Sequence, residues 1–449
     1  MARAAHTRLP QPVFHEPVFG EDGSPPDPTG FSTAHGSDTA LYQQIGDLAK
    51  KDVVAIPESR IAADRMFGLA EAYGSHGPQI TKIIEEAGKI IFHAFGDSGA
   101  SNSGKYANEL RVGDQVTLDS TSSSEGDRAA FLFHLGDVVY NFGEAQYYYD
   151  QFYEPFRNYP APIFAIPGNH DSFVVPGTAA GRTPLDTFQR NFCSKQLVIT
   201  PEAGSLHRTA MTQPGIYFTL DAPFVRIIGL FSNALEDPGV ISNLDHKWAA
   251  VSNVQIDFLR AQLKRIKQEN YPGAVLLATH HPPYSYSPPT KSGGAGGNHG
   301  CSTVMLQQID KICEEEGVYP HAFLSGHAHN YQRYTRIFDF GGKEIDVPFI
   351  VCGDGGHNVN TLVRPQKGKP AVEPLSSADV KYLEGKNSVE KVKHLILAKY
   401  DDHNYGYLRI HVDKQYLKIG FHQVGVRSLA QSRFDMVTVR LADRHMVAN

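Results

Sequence analysis

Sulfur is scarce in this chain, with four cysteines and six methionines in 449 residues, and there is a single tryptophan. Cys193, Cys301, Cys313 and Cys352 follow no CxxC or zinc-type spacing, which excludes a cysteine-ligated metal or a disulfide-dense scaffold and leaves them as buried free thiols. No apolar run is long enough to span a bilayer, and the opening MARAAHTRLPQPVFHEPVF lacks the apolar core of a secretory signal. The expectation is a soluble, cytoplasmic protein without a membrane partner. Positive charge is not in excess either. With 42 Lys and Arg against 48 Asp and Glu, the net charge of -6 argues against nucleic acid as a partner. Internal repeats are absent, and 41% hydrophobic with 20% charged residues is ordinary for a globular chain.

The pattern along the chain is uneven. Residues 1 to 35 carry PP, PDP and several glycines without periodicity and read as an extended arm. The spacings Leu41, Ile45, Leu48, then Ile61, Met66, Leu69, then Ile80, Ile83, Ile84 predict two or three short helices. Residues 1–87 are thus read as an arm with helices, and 88–449 as the main domain. Five apolar runs follow: KIIFHAFGD, AAFLFHLGD, APIFAIPGN, AVLLATHHP and HAFLSGHAH. Each reads as a central strand buried on both faces that ends in a loop. Between them AQYYYDQFYEPFRNY, VQIDFLRAQLKRIKQ and TVMLQQIDKICEEEG have helical spacing, so the class is layered α/β. Two stretches, Ser172 to Gly215 and YSYSPPTKSGGAGGNHG, are loops long enough to be functional. After Asp354 the alternation in GYLRIHV, YLKIGFH and DMVTVRL reads as a second, antiparallel sheet face.

The five strand ends carry seven residues of metal-ligand type. They are Asp97 in FGDSG, Asp137 and Tyr140 in LGDVVY, Asn169 in PGNHD, His280 in ATHHPP, and His327 and His329 in SGHAHNYQR. A lone GD after a strand is a turn and a lone HxH is structural; five such stretches in order are the layout of a two-metal hydrolytic centre. Asp137 has two oxygens with which to bridge two cations, and a helical turn would bring Tyr140 to the same ion. In an extended segment His327 and His329 point the same way, one imidazole toward each ion. The mixture of donors suits Fe, Mn or Zn better than Ca or Mg. No serine or cysteine lies in a nucleophile motif, and Ser98 reads as part of the ligand turn.

The order GDxG, GDxxY, GNHD, His before PP, and GHxH resembles the calcineurin-like metallophosphoesterase superfamily, and within it the purple acid phosphatase branch, over residues 88 to 425. Gly99 stands where most of the superfamily carries a histidine, and Tyr140 is the replacement. The resemblance implies a four-layer αββα sandwich behind an N-terminal helical extension. It implies Fe(III) on a tyrosinate at Asp97, Asp137, Tyr140 and His329, with Fe, Mn or Zn at Asn169, His280 and His327 and Asp137 bridging. His170 and His299 match the histidines that contact phosphate and protonate the leaving group. The implied reaction is hydrolysis of phosphate monoesters by attack of metal-bound hydroxide. The alternatives are a phosphodiesterase acting on nucleotides, cyclic nucleotides or lipid head groups, and a non-catalytic phosphate-binding protein on the same fold. The GDxxDRG continuation of protein serine/threonine phosphatases is missing from GDVVYNFGE, and Ser98 replaces a residue that is bulky in many members. Around this set, Asp171 is expected to fix a histidine tautomer and His281 to be structural. Asn330, Tyr331 and Arg333 are expected to start a helix, and His357 in CGDGGHN to serve either loop packing or substrate contact.

Overall fold

A computed structural model of the chain describes residues 56–59, 65–172, 185–234, 239–286, 302–362, 364–366, 369–372, 392–425 and 429–448. The arm over residues 1–35, the predicted helix with Leu41, Ile45 and Leu48, Ile61, the Gly-rich loop with His299, and Cys301 lie outside these residues.

The five apolar runs form five strands: β2 (Lys89–Phe95), β3 (Leu132–His134), β4 (Ile163–Ala165), β7 (Ala274–Thr279) and β8 (Ala322–Ser325). After Lys89 at the head of β2, every residue of these strands is buried, which is why they read as continuous rather than alternating hydrophobic stretches. They divide between two sheets. β2, β3 and β4 run parallel at one end of a seven-stranded sheet, while β7 and β8 run parallel in the middle of an eight-stranded one. The larger sheet is completed by β1 (Met66–Gly68), β5 (Phe218–Ala222), β6 (Val225–Leu230), β9 (Tyr331–Phe340), β10 (Lys343–Cys352) and β13 (Val392–Asp401). The smaller one adds β14 (Gly406–Asp413), β15 (Tyr416–Gln423), β16 (Arg433–Arg440) and β17 (Met446–Val447), with β14 pairing antiparallel to β2. A separate short pair, β11 (Arg364–Gln366) and β12 (Lys369–Val372), lies between β10 and β13 in sequence.

The two sheets pack face to face through aromatic side chains. Phe133 and Phe164 of one meet Phe218 of the other with ring centroids 6.1 and 6.4 Å apart, and Tyr331 stacks on Phe421 at 4.0 Å. Helices cover the outer faces. α1 (Gly77–Ala87) leads into β2, and α2 (Ser103–Ser122) lies on the smaller sheet. α3 (Asp186–Phe192) packs its phenylalanines at 4.7 Å within the loop region after Ser172. α4 (Val254–Gln268) and α5 (Thr303–Glu316) lie side by side on the larger sheet, bonded to it by Gln262 with Thr219 and by Asp310 with Arg336. The result is the expected four-layer αββα sandwich.

Several local expectations fail for physical reasons. Met66 belongs to β1, paired parallel with β5, and not to a helix with Ile61 and Leu69; the buried Phe67 between half-buried neighbours is a strand pattern. The segment AQYYYDQFYEPFRNY forms no regular α-helix but a 3-10 turn (Ala145–Tyr147) and a π turn (Tyr149–Tyr153), since its aromatic residues pack on more than one side. NYQRY begins β9, not a helix, and both Tyr331 and Arg333 bond Asp435 on β16. The three alternating segments after Asp354 do form antiparallel neighbours, β14, β15 and β16 of the smaller sheet, as expected, while β13 joins the larger one. Three of the cysteines, Cys193, Cys313 and Cys352, are free and buried as expected.

α2 escapes sequence periodicity because part of its docking face is polar. Asp119 accepts from Arg409 at 2.7 Å and Tyr407 at 3.0 Å, and its Oδ2 lies 3.2 Å from His93 Nε2 on β2. Burial pushes the Asp119 carboxyl up, but His93, Arg409 and Tyr407 outweigh it and hold it below its usual range. Asp119→Ala would strand His93 and Arg409 and should cost about 3–5 kcal/mol in urea unfolding at neutral pH. The deficit should shrink as acid protonates the wild-type carboxylate, because a lowered pKa stabilises only above the unfolded value.

Candidate metal centre

The seven ligand-type residues converge at the seam between the sheets. Oxygen donors come from the loops after β2, β3 and β4: Asp97, Asp137, Tyr140 and Asn169. Nitrogen donors come from the loops after β7 and β8: His280, His327 and His329. All seven are buried.

They form two clusters joined by one carboxylate. In the first, the Tyr140 hydroxyl donates to Asp137 Oδ2 at 2.7 Å and to Asp97 Oδ1 at 3.2 Å, and lies 3.2 Å from His329 Nε2. In the second, Asn169 Oδ1 lies 2.9 Å from His280 Nε2 and 3.2 Å from His327 Nδ1, with Asp137 Oδ1 3.4 Å from His280 Nε2. One imidazole of the GHAH pair thus faces each cluster, though not by the expected backbone. His327 has φ +66°, so the segment is not extended there, and Asp137 has φ +56°, so no helical turn links it to Tyr140. Asp97, at φ +58°, is a third left-handed position. That region costs a non-glycine residue on the order of 1–3 kcal/mol and persists where the surroundings enforce it. They do so here: Asp97 N–H donates to Gly136 O at 2.9 Å, and His327 N–H to Asp97 Oδ2 at 2.7 Å.

The surrounding polar atoms fix orientation. His280 Nδ1 donates to Leu135 O at 2.9 Å, which turns Nε2 into the site. Asp171 holds no histidine, contrary to expectation; its carboxylate accepts the N–H groups of Val138, Val139 and Gly168 and braces the Asp137 loop. Ser98 accepts from His134 Nε2 at 3.0 Å behind Asp97. His170 N–H donates to Asp137 Oδ1 at 2.9 Å, and its Nδ1 to Asn141 O at 2.7 Å. His281 Nδ1 lies 2.9 Å from Ser232 Oγ, a structural contact. Asn330 donates to Asn360 O. His357 takes the first of its two expected roles, loop packing: its Nδ1 donates to Gly99 O and its ring stacks on Tyr140 with centroids 3.6 Å apart. Lys105, which sequence reasoning missed, donates to His357 Nε2 at 2.6 Å, and burial pushes its ammonium down to about 8. Its only sequence signal is a capped helix start shortly after FGDSG.

The electrostatics of the bare site call for a cation. Burial and the neighbouring Asp137 push the Asp97 carboxyl well up, against His280 and the His327 N–H. Burial opposes ionisation of Asp137 too, but His280, His170 and the Tyr140 hydroxyl outweigh it and hold it well down. Burial and both carboxylates push the Tyr140 phenol well up. Burial pushes His329 down to about 4. A cation placed between them would favour the charged form of both carboxyls and of the phenol. Asp97, Asp137 and His280 can each bring a ligand atom within 4.8 Å of the others, so the donor set fits a metal ion.

A family model of the calcineurin-like phosphoesterases matches residues 92–331, just over half of the chain, and the chain belongs to that family. No curated protein matches it in sequence. Similar solved structures include GAP50, the anchor in the inner membrane complex of Plasmodium, at 11% identity and TM-score 0.41, covering 76% of this chain and 86% of that one. PhoD is similar at 11% identity and TM-score 0.46, covering 80% and 71%. Members of this family act on phosphate esters, and no helix among the described residues is long and apolar enough to cross a membrane.

Two outcomes test the geometry. A Cβ at Gly168 would fall 2.0 Å from Asp137 Oδ1, so Gly168→Ala should displace that carboxylate and lower metal affinity by about tenfold or more in a metal titration. In metal-free protein burial depresses His280, but Asp137 and Asp97 outweigh it and hold it at about 9. Its stabilisation is complete below the unfolded value of about 6.5 and is lost as pH rises through 9. Melting temperatures of chelated protein should fall across that window, and the fall should be absent in His280→Gln.

Proposed function

We propose that this protein is a two-metal phosphohydrolase of the purple acid phosphatase kind, cleaving phosphate monoesters. The observation that carries the reading is the division of one carboxylate, Asp137, whose Oδ2 serves the Tyr140 cluster and whose Oδ1 faces His280. In this reading Asp97, Asp137, Tyr140 and His329 hold Fe(III), and Asn169, His280 and His327 with Asp137 hold Fe, Mn or Zn. Such cations supply Lewis acidity toward water and toward phosphoryl oxygens.

The chain's own residues position and protonate. Asp171 and Gln151 hold the loop that presents Asp137 and Tyr140, Gln151 accepting from Tyr140 N–H at 2.8 Å. His170 sits at the end of β4 beside Asn169 and is less buried than the ligand set. With Nδ1 donating to Asn141 O, its Nε2 is the atom that carries a proton to the leaving alkoxide. Burial lowers its pKa, so the proton is held less firmly than on a free imidazole. His299 is the second candidate donor.

Iron-loaded protein should turn over a phosphate monoester faster than the matching diester and lose activity on chelation. It should show a visible absorption band that Tyr140→Phe removes. His170→Ala should lower kcat for a poor leaving group by about a hundredfold or more with metal content unchanged. Preference for the diester would make it a phosphodiesterase; two bound metals without turnover of either would make it a phosphate-binding protein.

A further inference from the structure

We infer that Lys105 and His357 are positioning residues for Tyr140, fixing its ring and placing an ammonium charge behind it in the loaded centre. The inference rests on Tyr140 being a metal ligand.

The Tyr140 ring lies between two imidazoles. His357 is nearly parallel to it, at 3.6 Å and 21°, and His170 is on it at 4.1 Å and 36°. His357 is held at both nitrogens. Nδ1 donates to Gly99 O at 2.6 Å, and Nε2 accepts from Lys105 Nζ at 2.6 Å. A ring held in this way cannot flip or act as a ligand, and it stays a neutral plate against the tyrosine. Its backbone N–H donates to Asp97 O at 3.0 Å, which ties the plate to the same loop as a ligand.

Lys105 stands in the first turn of α2. Asn102 caps that helix by accepting from the Lys105 backbone N–H at 3.0 Å, so the cap does not depend on the side chain. Among the described residues no carboxylate is recorded within ion-pair distance of the ammonium, whose recorded partner is His357. An ammonium not neutralised by a carboxylate, beyond a stacked ring in half-buried surroundings, is screened less than it would be in water. The same charge lowers the filled phenolate orbitals, which raises the energy of a tyrosinate-to-iron transition.

The test compares iron-loaded wild type with Lys105→Met, Lys105→Arg and His357→Phe, reading metal content and the visible spectrum. His357→Phe keeps a flat ring and removes both hydrogen bonds. All four proteins should bind two metals. Lys105→Met should move the band to longer wavelength by on the order of 10 nm, the scale expected for losing one unit charge at a few side-chain diameters, and His357→Phe, which loses no charge but releases the ammonium and the ring, should move it the same way by less. Lys105→Arg should keep the wild-type band. A band unmoved in both Lys105→Met and His357→Phe, with metals retained, overturns the inference and leaves the proposed function standing. Metal loss in Lys105→Met also overturns it, because the lysine would then support the fold of the site. Iron-loaded wild type without a band overturns the ligand reading of Tyr140 and this inference together.

Discussion

Two carboxylates, Asp97 and Asp137, are buried within a few ångströms of each other, and among the described residues no lysine or arginine is recorded bonding either. Burying like charges together is among the costliest arrangements a fold can contain, and it persists only where something positive is meant to lie between them. The other features of the centre answer to that pair. His280 and His329 point Nε2 at it, the Tyr140 hydroxyl bonds both members, and three ligand-type residues accept left-handed backbone angles around it. Glycine at 136 and 168 leaves room for the side chains, since a Cβ at Gly136 would fall 2.6 Å from His280 Nδ1.

The two sheets contribute different chemistry. The smaller presents oxygen donors and the larger presents nitrogen donors, so the set that suits a transition metal exists only where both strand ends meet. Parallel strands make this possible, because each delivers its C-terminal loop to the same edge. Family membership accounts for phosphate ester chemistry; the pairing of Tyr140 with Gly99 is what inclines the reading toward a ferric site.

Much of this was legible from residue order. The five strands were, since burial on both faces leaves an unbroken apolar run, and so were their seven ligand-type ends. What was not legible depends on partners far away in sequence. His357 and Lys105 are 252 residues apart and meet only in the fold. The helix α2 hides because Glu109, Asp119 and Ser120 are buried among its apolar positions, blurring the helical stripe. β9 was misread because Gln332 is as buried as its neighbours Tyr331 and Tyr334, which erases the period of two. Asp171 was given a histidine as partner because its neighbours in sequence suggested one; of the three backbone amides it actually serves, those of Val138 and Val139 belong to a different strand end.

A ligand set drawn half from each sheet also has a mechanical meaning. An ion seated there would act as a rivet through the sandwich, so that sliding one sheet past the other by an ångström would stretch every nitrogen contact relative to every oxygen contact at once. Metal affinity then reports on how well the whole interface between the sheets is aligned. A change at Phe133 or Phe218, which touch no donor but set the spacing of that interface, would be felt at the centre as a loosened grip.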